Sequence, residues 1–574
     1  MKASKKRGFT IIELVIVIAV IAILAAVLIP TFANIIQKAN VANDVALARN
    51  MNTILIADEA TNGRSTDMYD VLIALEQGGF KLENLNPRAD GNVFAWDKAN
   101  NQIVYLDKKN PDKPIFQAKE IGDNKGDLYI TTRKAEVFAD YPGYSYYFAS
   151  DISGNITLDE GSCLDTGEFA LNGNVSVKTN KDVEIHGTIN GTITVDSANG
   201  KITNYSVVKN VVIVNTASTS YHERGHVEAM EIKNSLKGKV VLENDAYVEK
   251  LTNNRTNGTV ESNGYVKAVA AESSDTTSVK PTTENKYALE IGTYDQLVNF
   301  RNKVNAGASY SGMTVKLTAD IDISERAWTP IGAAHRDKIE AQTNVFQGTF
   351  DGQGHKITGL TNTGFKISSV FKGSNSTTPE GYSEYVFGLF GSVYNATIKN
   401  IVMANVNIDL ACDEKEKVVG DSVGAIVGYA AGTNVTIDSC KVLSGSIVGY
   451  DAVAGIIGRT YSAKTTISNC ENAATVTAIR RASGILGFTS GGKGTRVTAI
   501  TNCKNSGNVK QTGTPDTDPA GKGGINYYIV AGLAIYQKGN SPEIDITGSS
   551  NTGTVTLTVP AGEGKNKSDT VWYY

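Results

Sequence analysis

The chain begins with a short leader followed by a continuous apolar segment from Phe9 to Ile29, in which Glu13 is the one charged residue. As a helix, this segment would span roughly 30 Å, which matches the hydrocarbon core of a membrane. The leader is basic, and basic flanks stay on the cytoplasmic side of a membrane. The pattern therefore predicts a single transmembrane helix at 9–29 in the cytoplasmic membrane, with the residues after Phe32 outside.

Beyond Phe32 the apolar positions take the spacing of an amphipathic helix, which we expect to end near Asn62-Gly63. Its apolar stripe consists of Val41, Val45, Ala48, Met51 and Leu55. One continuous helix is therefore predicted to leave the membrane.

A second helix is predicted at 67–77, capped by Ser65 or Thr66 and ended by Gly78-Gly79. The alternating residues 92–96 and 102–106 flank a turn-rich segment and predict a β-hairpin. Residues 9–110 are thus expected to form an α+β domain, a long N-terminal helix with a small antiparallel sheet.

Short Val- and Ile-rich segments then recur at intervals of roughly ten to twenty residues, such as GNITL, GNVSV, KDVEI and GTITV. They predict an all-β domain at 111–268, which can be a stacked solenoid or a sandwich. Residues 269–287 contain a polar stretch with few apolar side chains and are predicted to be a linker.

The last region, 288–574, opens with a predicted helix that carries Leu297, Phe300 and Val304 on one face and ends at Gly307. Repeats follow, and their cysteines Cys440, Cys470 and Cys503 lie 30 and 33 residues apart. Self-similarity at this period predicts a stack of repeats with the three thiols side by side in its interior, unpaired by disulfides.

Length and charge bear on the number of domains and on the kind of partner. The 574 residues are too many for one domain, and the net charge is −4 with a pI near 5.9. Outside the leader there is no basic stripe, so a nucleic-acid partner is not expected.

The sequence Gly8-Phe9-Thr10-Ile11-Ile12-Glu13-Leu14, followed by an apolar helix, resembles the start of type IV pilins and pseudopilins. The resemblance implies that 1–8 is a prepilin leader, cut between Gly8 and Phe9 by a prepilin peptidase that also methylates the new Phe9 amine. It further implies that Glu13 pairs with that amine in a neighbouring subunit, and that the helix bends at Pro30. A charge buried in hydrocarbon costs roughly 2 to 4 kcal/mol, so Glu13 needs such a partner. The absence of a cysteine pair closing a C-terminal loop leaves the subfamily open.

Residues 288 to about 560 resemble the GLUG-repeat surface proteins, whose motif stands here as Gly388-Leu389-Phe390-Gly391. This resemblance implies a right-handed parallel β-helix with a helical N-terminal cap. The family occurs in adhesins and in accessory regions of secreted proteases.

One motif matches a catalytic signature. His222-Glu223-Arg224-Gly225-His226 fits H-E-x-x-H, which binds zinc when a helix places both imidazoles on one face. Strand-like flanks and Gly225 argue against a helix, so we expect this segment to be an exposed loop. Zinc binding by His222, Glu223 and His226 is the less favoured alternative, and no metal or cofactor is assigned.

The other acids and histidines that could serve catalysis are expected to have structural roles. Asp320, Asp322 and Asp351 could serve a glycan lyase but are expected to cap turns, and no catalytic set is apparent. His186, His335 and His355 are expected to be strand or loop residues. Candidate recognition loops, which hold aromatic or acidic residues, lie at 372–386 with Tyr382 and Tyr385, at 411–418, at 512–524 and at Tyr527-Tyr528.

These observations predict a pilin-like subunit, minor or located at the tip of a filament, that displays an adhesin module on the cell surface. Its expected partners are other pilin subunits, the prepilin peptidase, the membrane and a glycan or protein ligand. The alternatives are a membrane-tethered zinc protease or glycan lyase, and a pseudopilin of a secretion or DNA-uptake system.

Overall fold

The computed structural model describes most of the chain after residue 10. The described residues are 11–65, 67–81, 85–158, 161–196, 199–215, 220–233, 238–254, 260–270, 288–324, 327–332, 344–362, 383–412, 418–462, 464–490, 497–514, 528–537, 544–558 and 571–573. The chain divides into two compact units, Met1–Ala149 and Ser150–Tyr574. The predicted leader and the predicted linker from residue 271 onward lie outside the described residues.

The first unit is built on a long helix. Its elements are α1 Ile11–Asn62, α2 Met68–Gln77, β1 Val93–Asp97, β2 Gln102–Asp107, β3 Asn110–Phe116, β4 Leu128–Thr132, α3 Val137–Asp140 and β5 Ser145–Phe148, with a 3-10 turn at Lys125–Asp127. Strand β1 pairs antiparallel with β2 and β4, β2 pairs antiparallel with β3, and β4 runs parallel to β5. The predicted hairpin is therefore confirmed.

The second half of α1 packs on this sheet through the predicted stripe. Ala48, Met51 and Leu55 are buried in one cluster with Trp96 and Tyr105 of the hairpin. The helix ends at Asn62, as the pattern predicts. The apolar period of α1 thus determines which face meets the sheet.

The predicted cap of α2 is wrong by one or two residues. Asp67 is the N-cap, and its side chain accepts a hydrogen bond from the backbone N–H of Asp70 at 3.0 Å. An aspartate accepts from the third residue of the helix as well as a serine or threonine does, and it stands one position closer to the first helical turn. Gly78 follows the last helical residue, as expected.

The first part of the second unit is a ladder of short strands. They are β6 Ile152–Ser153, β7 Ile156–Leu158, β8 Cys163–Asn172, β9 Val175–Val177, β10 Val183–Ile189, β11 Ile193–Val195, β12 Lys201–Asn204, β13 Val207–Val214, β14 Ser220–Glu223, β15 His226–Ile232, β16 Val240–Leu242, β17 Tyr247–Asn253, β18 Val260–Ser262 and β19 Tyr265–Ala270. The pairings from β8 to β19 are parallel and join each strand mainly to the strand two positions further along the chain. Paired residues such as Val208 and Val227 are therefore about one sequence repeat apart.

The second part of this unit begins with β20 Ala288–Ile291 and α4 Tyr294–Asn305. The strands that follow are β21 Thr314–Leu317, β22 Ile321–Asp322, β23 Thr349–Asp351, β24 Lys356–Thr358, β25 Ser383–Phe387, β26 Phe390–Tyr394, β27 Thr397–Lys399, β28 Val402–Ala404, β29 Val406–Leu410, β30 Val418–Gly424, β31 Val427–Gly432, β32 Val435–Asp438, β33 Lys441–Val442, β34 Gly445–Gly449, β35 Val453–Ala454, β36 Ile457–Ser462, β37 Lys464–Ser468, β38 Glu471–Asn472, β39 Thr475–Ala478, β40 Arg481–Ser483, β41 Leu486–Ser490, β42 Val497–Thr501, β43 Lys504–Asn505, β44 Val509–Gln511, β45 Ile529–Ala531, β46 Ala534–Gln537, β47 Ser550–Asn551, β48 Val555–Leu557 and β49 Val571–Tyr573.

These strands form five sheets, and each strand from β25 to β41 pairs in parallel with the strand five positions further along the chain. Strand β49 is antiparallel to β46. Apolar residues such as Ile398, Ile437 and Ile467 pair in register and are fully buried. The repeats of the sequence therefore contribute equivalent side chains to one continuous core.

The three repeat cysteines lie in this core. Cys440, Cys470 and Cys503 are fully buried, and none of the five cysteines forms a disulfide. The residue before each thiol, Ser439, Asn469 and Asn502, has a φ of 54° or 55°, a left-handed corner that polar side chains tolerate. The predicted interior thiol positions are confirmed.

Helix α4 buries the predicted residues Leu297, Phe300 and Val304, and Thr293 caps its start. Lys303 is buried as well, which the pattern does not predict. Its ammonium group donates to the carbonyl of Arg224 and, at 3.0 Å, to that of Asp245. Backbone carbonyls of the first ladder thus compensate the buried charge.

Candidate functional site

The first half of α1 presents an uncovered apolar surface. The large apolar side chains from Ile11 to Ile36 are exposed, including Ile29 at 67% and Phe32 at 58%. Within the described residues, α1 is the one helix long and apolar enough to cross a membrane. An apolar surface of this length needs lipid or neighbouring helices to cover it.

The predicted assembly residues lie at the start of this helix. Gly8 and Phe9 are outside the described residues, and Glu13 lies in the first turns of α1 although its side chain is not described. Pro30 lies within α1, which continues through it, and the hydroxyl of Thr31 donates to the carbonyl of Val27 at 2.8 Å. The helix bend implied at Pro30 remains a prediction.

The second half of α1 is fixed to the sheet by buried polar groups. The carboxylate of Asp44 accepts from the backbone N–H groups of Arg88 and Ala89 and from the hydroxyl of Tyr105, at 2.8 to 2.9 Å. Asn52 exchanges hydrogen bonds of 2.8 Å with both backbone groups of Ile103. Two points along the helix are therefore locked in register, so the exposed half extends from a rigid base.

The H-E-x-x-H histidines and Glu223 lie on two strands and not on a helix. The expected exposed loop is wrong as well, because Glu223 is fully buried. His222 and Glu223 are in β14, and His226 begins β15. His222 contacts Glu243 through Nδ1 at 2.7 Å, whereas the His226 ring stacks on Tyr247 with centroids 4.2 Å apart. Successive residues of a strand face opposite sides, so Glu223 points away from His222. The arrangement lacks the one-face geometry that this zinc signature requires.

Glu223 is instead a buried polar centre. Its carboxylate accepts from the Tyr221 hydroxyl at 2.6 Å, the Asn204 amide at 3.0 Å and the Gly225 N–H at 2.7 Å. Burial raises the pKa of Glu223 to about 7, while these hydrogen bonds and the nearby charge of Lys303 oppose the rise. The group is therefore poised to titrate near neutral pH.

The acids at the start of the last region accept hydrogen bonds from backbone N–H groups. Asp320 accepts from the backbone N–H of Lys356, and Asp322 accepts from that of Ser324, both at 2.9 Å. Asp351 accepts from Gln353 at 3.0 Å, and from Asn400 at 2.8 Å. Asp322 and Asp351 thus cap turns, as the sequence predicts. Asp320 instead bonds to a residue 36 positions further along the chain, so its predicted turn role is wrong.

The other described histidines, His355 and His186, lie at a turn and in a strand. His355 lies 3.3 Å from Asp320 at a turn, and His186 is in β10, stacked on Tyr205 with centroids 4.4 Å apart. His335 lies outside the described residues. The two described histidines occupy turn and strand positions, in agreement with the prediction.

The predicted recognition role is wrong for two of the tyrosines. Tyr385 lies in β25 and is fully buried, and Tyr528 is fully buried before β45. Because neither ring reaches the surface, neither can meet a ligand there. Most of the other loop positions lie outside the described residues: 372–382, 413–417, 515–524 and Tyr527.

A buried ionic cluster escaped the sequence reasoning. Asp451 accepts from Arg481 Nε at 2.6 Å and lies 3.3 Å from Arg459, which also reaches Asp421 at 3.2 Å. Both guanidinium groups lie over the Phe488 ring, with Arg481 at 3.9 Å. Burial alone would raise the pKa of Asp451, but the arginine charges outweigh it and hold that pKa well below its usual range.

A signal for this cluster is present in the sequence. Asp421, Asp451 and Arg481 follow one another at 30-residue intervals, which is the spacing of Cys440 and Cys470. Charged residues at the repeat spacing would have indicated a stacked position shared between neighbouring repeats.

Comparison with known proteins finds similarity at the start of the chain. A family model described as the prokaryotic N-terminal methylation motif matches residues 3–29. The type IV major fimbrial protein FimA of Dichelobacter nodosus (strain VCS1703A) is 35% identical over 94 residues, which are 16% of this chain and 57% of that protein. Another FimA of that species is 28% identical over 169 residues, 28% of this chain and 91% of the relative. A fimbrial protein of Moraxella nonliquefaciens is 44% identical over 98 residues, 16% of this chain and 63% of the relative.

These similarities support a type IV pilin N-terminus, as the sequence predicts. In the structure it is followed by a largely β-rich body. The chain spans less than two thirds of the length of the first of these relatives. No solved structure matches the chain.

Proposed function

We propose that this protein is a type IV pilin-like subunit, minor or located at a filament tip, whose β-rich body acts as a surface adhesin module. In this proposal the prepilin peptidase cuts between Gly8 and Phe9, and the processed helix then joins the apolar core of a filament. The body of the second unit remains outside the cell.

The observation that carries the proposal is the division of α1 into two halves. Its first half is apolar and exposed, while its second half is locked to the sheet through Asp44 and Asn52. The exposed apolar half of α1 is suited to packing against the same half of neighbouring subunits in a filament. Before assembly, membrane lipid can cover this apolar surface. The N-terminal methylation motif at 3–29 independently supports the same role.

The adhesin part of the proposal rests on the second unit. We infer that its parallel strands form two stacked β-helical regions, the latter of the GLUG type, because strands pair at the spacing of the sequence repeats. A rigid stack supports long loops, and such loops are common sites of recognition. The size of this body also favours a minor position over a densely packed major subunit.

The Glu13→Ala variant tests the assembly step. A carboxylate in hydrocarbon is unfavourable, so the variant should insert into the membrane at least as well as the native chain. It should nevertheless be missing from sheared filaments, because the partner charge at Phe9 of the neighbouring subunit loses its counterion. Quantitative immunoblotting of the membrane and filament fractions measures both effects.

Ile12→Ala is the matched control, since it removes apolar bulk one residue earlier without changing charge. It should enter filaments nearly as the native chain does. Equal incorporation of Glu13→Ala and the native chain contradicts the proposed pairing.

The display of the body is tested by immunogold labelling of intact cells with antibodies against residues 288–574. The adhesive role requires label along or at the tip of extended filaments. Label confined to the cell envelope would instead favour a pseudopilin of a secretion or DNA-uptake system.

A further inference from the structure

Three potential metal ligands meet on the outer surface of the first parallel ladder. Cys163 is in β8, and Glu184 and His186 are in β10. One donor atom from each residue lies within 4.8 Å of the other two. This cluster is separate from the H-E-x-x-H segment.

The strand register explains how the cluster forms. Cys163 pairs with Glu184 across the two strands, while the buried Leu164 pairs with the buried Ile185. Because side chains alternate along a strand, the residues that flank this buried pair face outward. His186 therefore projects on the same side as Glu184, two positions further along β10.

The distance between the donor atoms of His186 and Glu184 suits a tetrahedral metal ion. Nε2 of His186 lies 3.4 Å from Oε2 of Glu184, which is long for a hydrogen bond. In a tetrahedral zinc site with bond lengths of about 2.0 to 2.3 Å, neighbouring ligand atoms lie about 3.3 to 3.8 Å apart. The imidazole and the carboxylate are thus already separated as two ligands of one zinc ion would be.

The surroundings hold the imidazole in place. The His186 ring stacks on Tyr205, with an interplanar angle of 8°. The guanidinium of Arg224 covers Tyr205 at 5.4 Å and pairs with Asp245 at 3.0 Å. Tyr205 and Arg224 directly follow strands β12 and β14, and their stacking fixes the plane of the His186 ring before any ion binds, as the supporting groups of metal sites commonly do.

The charge of the cluster also favours a cation. Asp165 pairs with His186 in the ladder and adds a carboxylate close to the three donors. A thiolate, an imidazole and a carboxylate together form the donor set that prefers zinc among the common divalent ions, whereas calcium and magnesium take oxygen ligands.

We propose that Cys163, Glu184 and His186 bind one Zn²⁺ ion, with the fourth coordination position open to water at the outer surface. The site is independent of the pilin-like role, so either conclusion can fail without the other. Structural zinc sites usually have four protein ligands, whereas three protein ligands leave the fourth position for water or another small ligand. An ion held there would link β8 to β10 and brace the ladder.

Zinc binding is tested with the full chain in detergent, stripped with a chelator and reloaded with Zn²⁺ alone under a phosphine reductant. Elemental analysis after gel filtration should find one zinc per native chain and loss of that zinc in Cys163→Ser and in His186→Gln. With Co²⁺ in place of zinc, the native chain should show a thiolate-to-cobalt charge-transfer band that Cys163→Ser lacks.

Two controls keep the result specific. Cys412→Ser removes another half-buried thiol, and His222→Gln removes a histidine of the H-E-x-x-H segment; both variants should keep the zinc. Circular dichroism should show equal folding of all variants, because each changed side chain is partly exposed. No stoichiometric zinc in the native chain, retention of zinc in Cys163→Ser or His186→Gln, or its loss in His222→Gln would each overturn the proposal.

Discussion

At the scale of single residues, polar groups inside the β-rich body control its stability. Glu223 is surrounded by donors from Tyr221, Asn204 and Gly225, yet burial raises its pKa to about 7. A carboxyl group whose pKa is higher in the folded chain than in the unfolded chain stabilises the fold at low pH, and this contribution is lost as pH rises through the folded value.

The free energy of unfolding of the Glu223→Gln variant should therefore depend less on pH than that of the native chain. In the native chain, the contribution of Glu223 to the free energy of unfolding should fall between about pH 4.5 and 7, by roughly 3 kcal/mol, since each pKa unit is worth about 1.4 kcal/mol. The variant cannot ionise at this position and should lack that fall. Urea unfolding at a series of pH values measures the difference.

Glu228→Gln is the control for this comparison, because Glu228 is an exposed acid on the neighbouring strand β15. Its profile should parallel that of the native chain. Parallel profiles for Glu223→Gln and the native chain would show that the buried carboxyl does not titrate as described.

Residue roles were the hardest feature to predict from the sequence. The sequence matched His222, Glu223 and His226 to a zinc signature, but two strands place these side chains in different surroundings. The pattern Glu-Ile-His at 184–186 does place two ligands on one strand face. Its third ligand, Cys163, becomes a neighbour only through the register of β8 and β10, which no local pattern determines.

At the scale of elements, periodicity predicted more than residue type did. The helix end at Asn62, the hairpin of β1 and β2 and the apolar face of α4 all follow from local spacing. The burial of Lys303 could not be predicted, because the carbonyls that accept its hydrogen bonds lie 58 and 79 residues earlier in the chain. Tyr385 was misassigned for the same reason, since its burial depends on neighbouring repeats.

The ionic cluster joins strands of neighbouring repeats, and its removal should destabilise the last region. Asp451→Ala leaves the guanidinium groups of Arg459 and Arg481 buried without their main counterion. Removing one partner of a buried ion pair costs about 3 to 5 kcal/mol. We expect a loss of this size in the free energy of unfolding of the full chain, measured by urea titration at neutral pH.

The control is an exposed pair on the same part of the chain. Lys441 and Glu471 approach to 3.4 Å with both side chains more than 40% exposed, so Glu471→Ala should cost at most about 1 kcal/mol. Similar losses in the two variants would mean that the buried cluster contributes no more than a surface pair.

At the scale of the whole molecule, the chain combines two kinds of information. The start carries a short sequence with Gly8, Phe9 and Glu13, and the family model of the N-terminal methylation motif matches the chain over residues 3–29. The rest carries repeats whose spacing predicts parallel stacking, and the strands do pair at that spacing.

The central claim is that the chain is processed and then assembled as a pilin-like subunit. N-terminal mass spectrometry of the protein recovered from sheared filaments tests both steps at once. We predict a chain that begins with N-methylated Phe9, and retention of residues 1–8 when Gly8 is replaced by a bulky residue such as leucine. A filament-associated chain that still begins at Met1, or absence of the chain from the filament fraction, would contradict the account.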